Sequence, residues 1–227
     1  MSVRISAKRS GAMMMSPEHF YEHELKGKTA EAIMTVIRRL KRDMNRLKNA
    51  IEHSVEISLR RPRKGVQLLF LRQYLERAKE ALIAAGGVYK PSNAELKAAA
   101  FNENIFAIRE IRLSIGGFGY EMHTITMTRT HPCQIVKRSE WQVPFESAVE
   151  TVIPIKKERF LAAIQQLHIG EWRRNYDASR FGVIILDGTQ WDVQFLFSNG
   201  HRSVKIRGDN NYPYNFGEFL KLLGVNL

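Results

Sequence analysis

Apolar residues recur along this chain with two different periods, and the change from one to the other divides it. Residues 29–60 contain neither Gly nor Pro, and Ile33, Ile37, Leu40, Met44, Leu47 and Ile51 follow one another at alternating spacings of four and three. Such a heptad seam predicts one helix, about 45 Å long at about 1.5 Å per residue, with a face that needs a partner. Leu68, Leu71, Leu75, Ala78 and Leu82 make a second stripe over residues 65–85, with Gly86 and Gly87 as its stop. Between the stripes lies "RRPRKG", where Pro62 and Gly65 break the helix. An antiparallel helical hairpin over residues 29–90, with a basic tip, is therefore expected. A homodimeric coiled coil through the 29–60 helix is the competing use of the same seam.

The helical period continues briefly and then gives way. Ser92 with Glu95 three residues on forms a capping-box signature before "LKAAAFNE". From about Ile105 to Arg129 the pattern alternates instead: Ile111, Leu113 and Ile115 against Arg112 and Ser114, then "GGFG", then the Thr-rich "YEMHTITMT". Alternation of this kind predicts a β-hairpin. A further strand is expected at Ala148–Ile153 and a helix over Lys156–His168 with Phe160, Leu161, Ile164 and Leu167 on its apolar face. "FGVIIL", "TQWDVQFLF" and "RSVKIR", separated by Asp187-Gly188 and Asn199-Gly200, predict a three-stranded meander. In "GDNNYPYNFGEFLKLLG" at 208–224 the Asx run and Pro213 suit a chain turning out of a strand, and Asn215 is expected to cap a terminal helix. The fold class expected is α+β: an N-terminal helical hairpin with a long basic helix, followed by a mostly antiparallel sheet flanked by helices. Its divisions are a mobile arm and short helix (1–28), the basic helical hairpin (29–90) and an α+β body (91–227).

"EWRRNY" at 171–176, "LDGTQWDVQFLFSNGH" at 186–201 and the 208–224 stretch together resemble a small C-terminal α/β module that recurs in uncharacterised bacterial proteins, many from Gram-positive species. The resemblance covers about residues 156–227. It implies a bacterial origin and a compact fold, and because the module has no established activity it implies no site.

Composition adds a charge asymmetry. The chain of 227 residues carries a net charge of +12, with a mean hydropathy of -0.30 that belongs to folded rather than disordered chains. Residues 1–90 hold nineteen basic and nine acidic side chains, whereas residues 91–227 hold sixteen and fourteen. Within residues 36–72 eleven basic side chains face three acidic ones. Arg38, Arg39, Lys41, Arg42, Arg46 and Lys48 fall off the seam of the long helix, Arg60, Arg61, Arg63 and Lys64 cluster at its tip, and Arg72 follows in the next helix. A solvated helix face usually mixes its signs at four-residue spacing, so this imbalance points to a polyanion, nucleic acid above all. Aromatic residues are scarce there, which favours phosphate contacts over base stacking.

Candidate chemistry changes this picture little. "HFYEH" at 19–23 matches an H-x-x-E-H zinc-peptidase pattern, but nothing in the sequence fixes a further carboxylate, such as Glu95 or Glu103, near His19. "GKT" at 27–29 lacks the upstream Gly and strand of a phosphate loop, and Gly27 suits a helix end. "GGFG" lies between two strands and so reads as a turn. His131 and Cys133 have no second metal pair, and no catalytic residue, metal or cofactor is expected. Asp187, Asp192 and Asp209 remain as the carboxylates a metal-dependent hydrolase would use. The longest apolar runs are too short for a membrane span, no signal-peptide core is seen, and a single Cys cannot form an internal disulfide, so a cytoplasmic protein without a membrane partner is expected.

The functional expectation is a non-enzymatic nucleic-acid-associated accessory protein that contacts phosphates through the basic hairpin, with DNA and RNA both open. The alternative is a protein-binding accessory or inhibitor from a bacterial mobile element or defence locus, acting on a partner or a second copy through the long amphipathic helix. The metal-dependent hydrolase is the weaker third reading.

Overall fold

The computed structural model describes residues 15–52, 63–117, 122–128, 133–140, 149–177 and 188–225. The chain divides into two compact units, Met1–Lys90 and Pro91–Leu227.

The first unit is helical. Helix α1 (Pro17–Glu24) starts where Ser16 Oγ accepts the His19 amide and Pro17 occupies the first turn. The turn that follows it closes at Gly27, whose φ of +70° is the left-handed conformation common just past a helix end, so "GKT" follows a helix terminus. Helix α2 (Ala30–Glu52) begins with Thr29 Oγ1 accepting the Ala32 amide. Helix α3 (Arg63–Ala84) ends as the Gly86 amide donates to Ile83. Lys64 Nζ reaches the Ala50 carbonyl at 3.1 Å, and a Cβ on Gly87 would meet Ala30, so the start of each helix lies beside the end of the other. The pair is the antiparallel hairpin that the two stripes predict. Ile33, Val36, Ile37, Leu40 and Met44 of α2 are buried, as are Leu68, Tyr74, Leu75, Ala78, Ala81 and Leu82 of α3. Each large aliphatic side chain removed from water in this way contributes about 1.5–3 kcal/mol, which is what gives the seam its force. Phe20 of α1 stacks on Tyr74 with ring centroids 4.3 Å apart, and Tyr74 donates to the Met15 carbonyl.

The second unit is built on a seven-stranded sheet. Helix α4 (Asn93–Glu103) opens on a complete capping box, with the Ser92 hydroxyl accepting the Glu95 amide and the Glu95 carboxylate accepting the Ser92 amide. Strands β1 (Ile108–Gly117), β2 (Met122–Thr128), β3 (Gln134–Glu140) and β4 (Val149–Pro154) follow, then helix α5 (Lys157–Gln166), strands β5 (Asn175–Asp177), β6 (Thr189–Phe197) and β7 (Val204–Asp209), and helix α6 (Phe216–Leu222). The strand order is β4-β3-β2-β1-β6-β7-β5, antiparallel throughout except for β5 beside β7. Gly116 and Gly117 end β1, which pairs antiparallel with β2, while Phe118 and Gly119 of the "GGFG" turn lie outside the described residues. In the β6–β7 pairing Phe195 stands opposite Val204, so this hairpin folds about Asn199-Gly200 as its sequence predicts. The three-stranded meander is not formed as expected: β6 pairs with β7 on one side and with β1 on the other, so neither edge of β6 is left for "FGVIIL", which with Asp187 lies outside the described residues.

One face of the sheet carries the core. Ile111, Leu113, Ile115, Trp191, Val193, Phe195, Val204 and Ile206 pack with Phe101 of α4, Phe160, Leu161 and Ile164 of α5, and Phe219 and Leu220 of α6. Gly208 is needed where it is, because a Cβ there would collide with the Trp191 indole. The protein is thus α+β, with an N-terminal helical hairpin and a mostly antiparallel sheet flanked by helices.

Candidate nucleic-acid interface

Helix α2 supplies most of the residues singled out by charge, and its seam decides where they point. With Ile33, Ile37, Leu40 and Met44 turned to the interior, positions 38, 42 and 46 fall on the opposite side, one above another at four-residue spacing. Arg38, Arg42 and Arg46 are all exposed. Arg38 and Arg42 make no hydrogen bond or ion pair among the described residues, and Arg46 has only Asp43 at 3.8 Å, with 82% of its side chain exposed. The row rises about 6 Å per step, and adjacent like charges on it repel.

The remaining residues of the charge-derived set do not join this row. Arg39 is turned to α1, where its guanidinium meets the Glu24 carboxylate at 2.8 Å, and that hydrogen bond holds the Glu24 carboxyl below the usual carboxylate range. Lys41 donates to the Tyr89 hydroxyl at 3.2 Å and lies over its ring, which Lys79 approaches as well. Lys48 and Arg72 are half-buried and engaged with neighbours. Lys64 is bound to the end of α2. Arg63 begins α3, while Arg60 and Arg61 lie outside the described residues. Charge counting selects α2 but does not separate its outer row from cations already held by an acid, a phenol or a carbonyl.

Other candidates resolve into structural roles. On α1 the His19 and His23 rings lie 4.1 Å apart, but Glu22 is paired with Lys26 at 2.7 Å. Among the described residues no three His, Cys, Asp or Glu side chains gather in a way that could hold a metal ion. Asp192 and Asp209 do share one feature, a shallow groove of about 530 Å³ on the polar face of the sheet, together with Asp177, Lys205, Arg207 and Ser114. There Asp192 lies 3.2 Å from the Lys205 ammonium, Asp209 accepts from the Asn210 amide at 2.8 Å, and Arg207 donates to Asn175 at 3.1 Å. Sequence reasoning misses Asp177 because β5, three residues long, is too short to show a period. Asp187 lies outside the described residues.

The 208–215 stretch turns a corner. Asn210 adopts φ +50° and both accepts the Thr189 amide through its side chain and donates its own amide to the Thr189 carbonyl. The Trp191 indole donates to the Asn211 carbonyl, and the Tyr214 hydroxyl to Glu171. One expectation is overturned here: Asn215 makes no side-chain cap to α6. Its carbonyl oxygen instead accepts the Trp172 indole N–H at 2.8 Å and its amide donates to the Leu167 carbonyl at 2.5 Å. Two partly buried polar groups, an indole N–H and a carbonyl, take the one side chain in place of the helix end. Trp172 and Tyr176 of "EWRRNY" are likewise buried, the Tyr176 hydroxyl accepting the Arg173 amide.

Comparison with protein-family models, with characterised proteins and with solved structures finds no match to this chain.

Proposed function

We propose that this protein is a non-enzymatic nucleic-acid-associated accessory protein whose contact surface is the outer face of α2. The observation that carries the reading is the row Arg38, Arg42 and Arg46, exposed, at four-residue spacing, and without an ionic partner closer than Asp43 at 3.8 Å. Three like charges in a row destabilise the helix that bears them, and a polyphosphate backbone relieves that repulsion while releasing its own counterions. The excess of basic over acidic residues within 1–90 extends the same field and speeds encounter with a polyanion.

A mobility shift with duplex DNA and with RNA at low salt tests this. The full chain is expected to bind, and Arg38→Gln, Arg42→Gln, Arg46→Gln in combination to remove most of the binding. Substituting Arg60, Arg61, Arg63 and Lys64 by Gln measures the tip separately. Absence of binding by the unaltered chain would sink the proposal.

A second reading, a protein-binding accessory or inhibitor, draws support from Val66 and Leu69, which lie three residues apart on α3 and are 40% and 50% exposed. Ile33, Ile37, Leu40 and Met44 of the α2 seam are already buried, so a partner or a second copy would dock on α3 instead. Light scattering beside a pull-down distinguishes this reading, which fails if the protein is a strict monomer that retrieves nucleic acid alone.

A further inference from the structure

We propose that the outer face of α2 reads duplex DNA in the major groove, with Arg42 and Asn45 contacting base edges and Arg38 and Arg46 aligning them. This rests on the proposed nucleic-acid role of the same helix and goes beyond contact with phosphates. Asn45 follows Arg42 by three residues and precedes Arg46 by one, which places it on the same exposed side. Its side chain makes no hydrogen bond among the described residues, and neither does that of Arg42. Asn is a poor helix former in mid-helix, where it cannot act as a cap, so neither propensity nor packing accounts for it here.

The two side chains have complementary chemistry. A guanidinium pairs in two-point fashion with guanine O6 and N7, and a carboxamide does the same with adenine N6 and N7. An α-helix about 10–12 Å across enters a major groove about 12 Å wide, and α2 presents its outer face on the side away from α3. From Arg38 to Asn49 the face runs about 17 Å, the rise of about five base pairs. A single strand is a poorer fit, because α2 contains no aromatic residue on which a base could stack. Duplex RNA is poorer still, since its major groove is too deep and narrow for side chains to read.

The test is selection of the intact chain on a pool of randomised duplex DNA, followed by titration of the enriched sequence and a scrambled one. The unaltered protein is expected to enrich a short motif containing guanine and adenine. Asn45→Ala should keep low-salt binding to pool DNA and its salt dependence, but lose at least about fivefold of the preference at the adenine position. Arg42→Lys, which keeps the charge, should lose a comparable preference at guanine. Binding to pool DNA with no motif enriched overturns this inference and leaves the proposed function standing. So does selection of the unaltered motif by Asn45→Ala, or competition by single-stranded DNA or duplex RNA as effective as that by duplex DNA. Failure to bind any nucleic acid at low salt overturns both.

Discussion

Asn215 occupies a position where a cap and a bridge demand different chemistry. As a cap, Asp would replace Asn at almost no cost, because both accept backbone N–H groups equally well. As the link between the Trp172 indole and the Leu167 carbonyl it must both accept and donate, and a carboxylate cannot donate. Asn215→Asp should therefore destabilise the protein by about 1–3 kcal/mol in urea unfolding, and an unchanged midpoint would return Asn215 to capping. Arg42 makes the opposite kind of case. It stands four residues from both Arg38 and Arg46, and each such like-charge pair costs a helix about 0.2–0.5 kcal/mol. Arg42→Glu reverses both pairs, so the melting temperature should rise by roughly 2–8 °C while nucleic-acid affinity falls. A variant that melts lower and binds normally would show that the row serves the fold.

At the scale of elements, α1 is fastened to α2 by charge and to α3 by rings. The Glu24–Arg39 pair is partly exposed, so its worth is below about 1 kcal/mol. Because Arg39 lowers the Glu24 pKa in the folded protein, the stability it adds is present above the ordinary carboxylate range and is lost as pH falls through the depressed value. Glu24→Gln should abolish that part of the acid destabilisation, seen by comparing urea midpoints at neutral and acid pH, and should also free Arg39 for phosphate. Long periodic elements such as α2, α3, β1 and β6 were legible because each buries one continuous stripe. Strand β3 was missed although Ile135 is buried, since a seven-residue strand in a Lys- and Arg-bearing segment shows too few apolar positions to establish a period. The parallel β5 was invisible for the same reason, and with it Asp177 of the groove. The surface was less legible than the core: the seam fixes which arginines face outward, but the partners that hold Arg39, Lys41 and Lys64 come from other elements and appear only once the chain is folded.

For the whole molecule the distribution of charge matters more than its sum. Residues 1–90 carry ten of the twelve net charges, and in the sheet of the second unit Lys205 is paired with Asp192 and Arg112 with Glu110. Among the described residues no helix is long and apolar enough to cross a membrane. What remains distinctive is a helix whose outer row of arginines lacks the acids that would ordinarily balance it. The most direct test is the affinity of the full chain for duplex DNA as a function of salt, beside the Arg38, Arg42 and Arg46 to Gln variant. If about six phosphates are engaged, affinity should fall roughly a thousandfold between about 50 and 200 mM salt, and the variant's slope should be shallower by about two to three. A salt-independent affinity, or a variant whose slope equals that of the unaltered chain, would contradict the account.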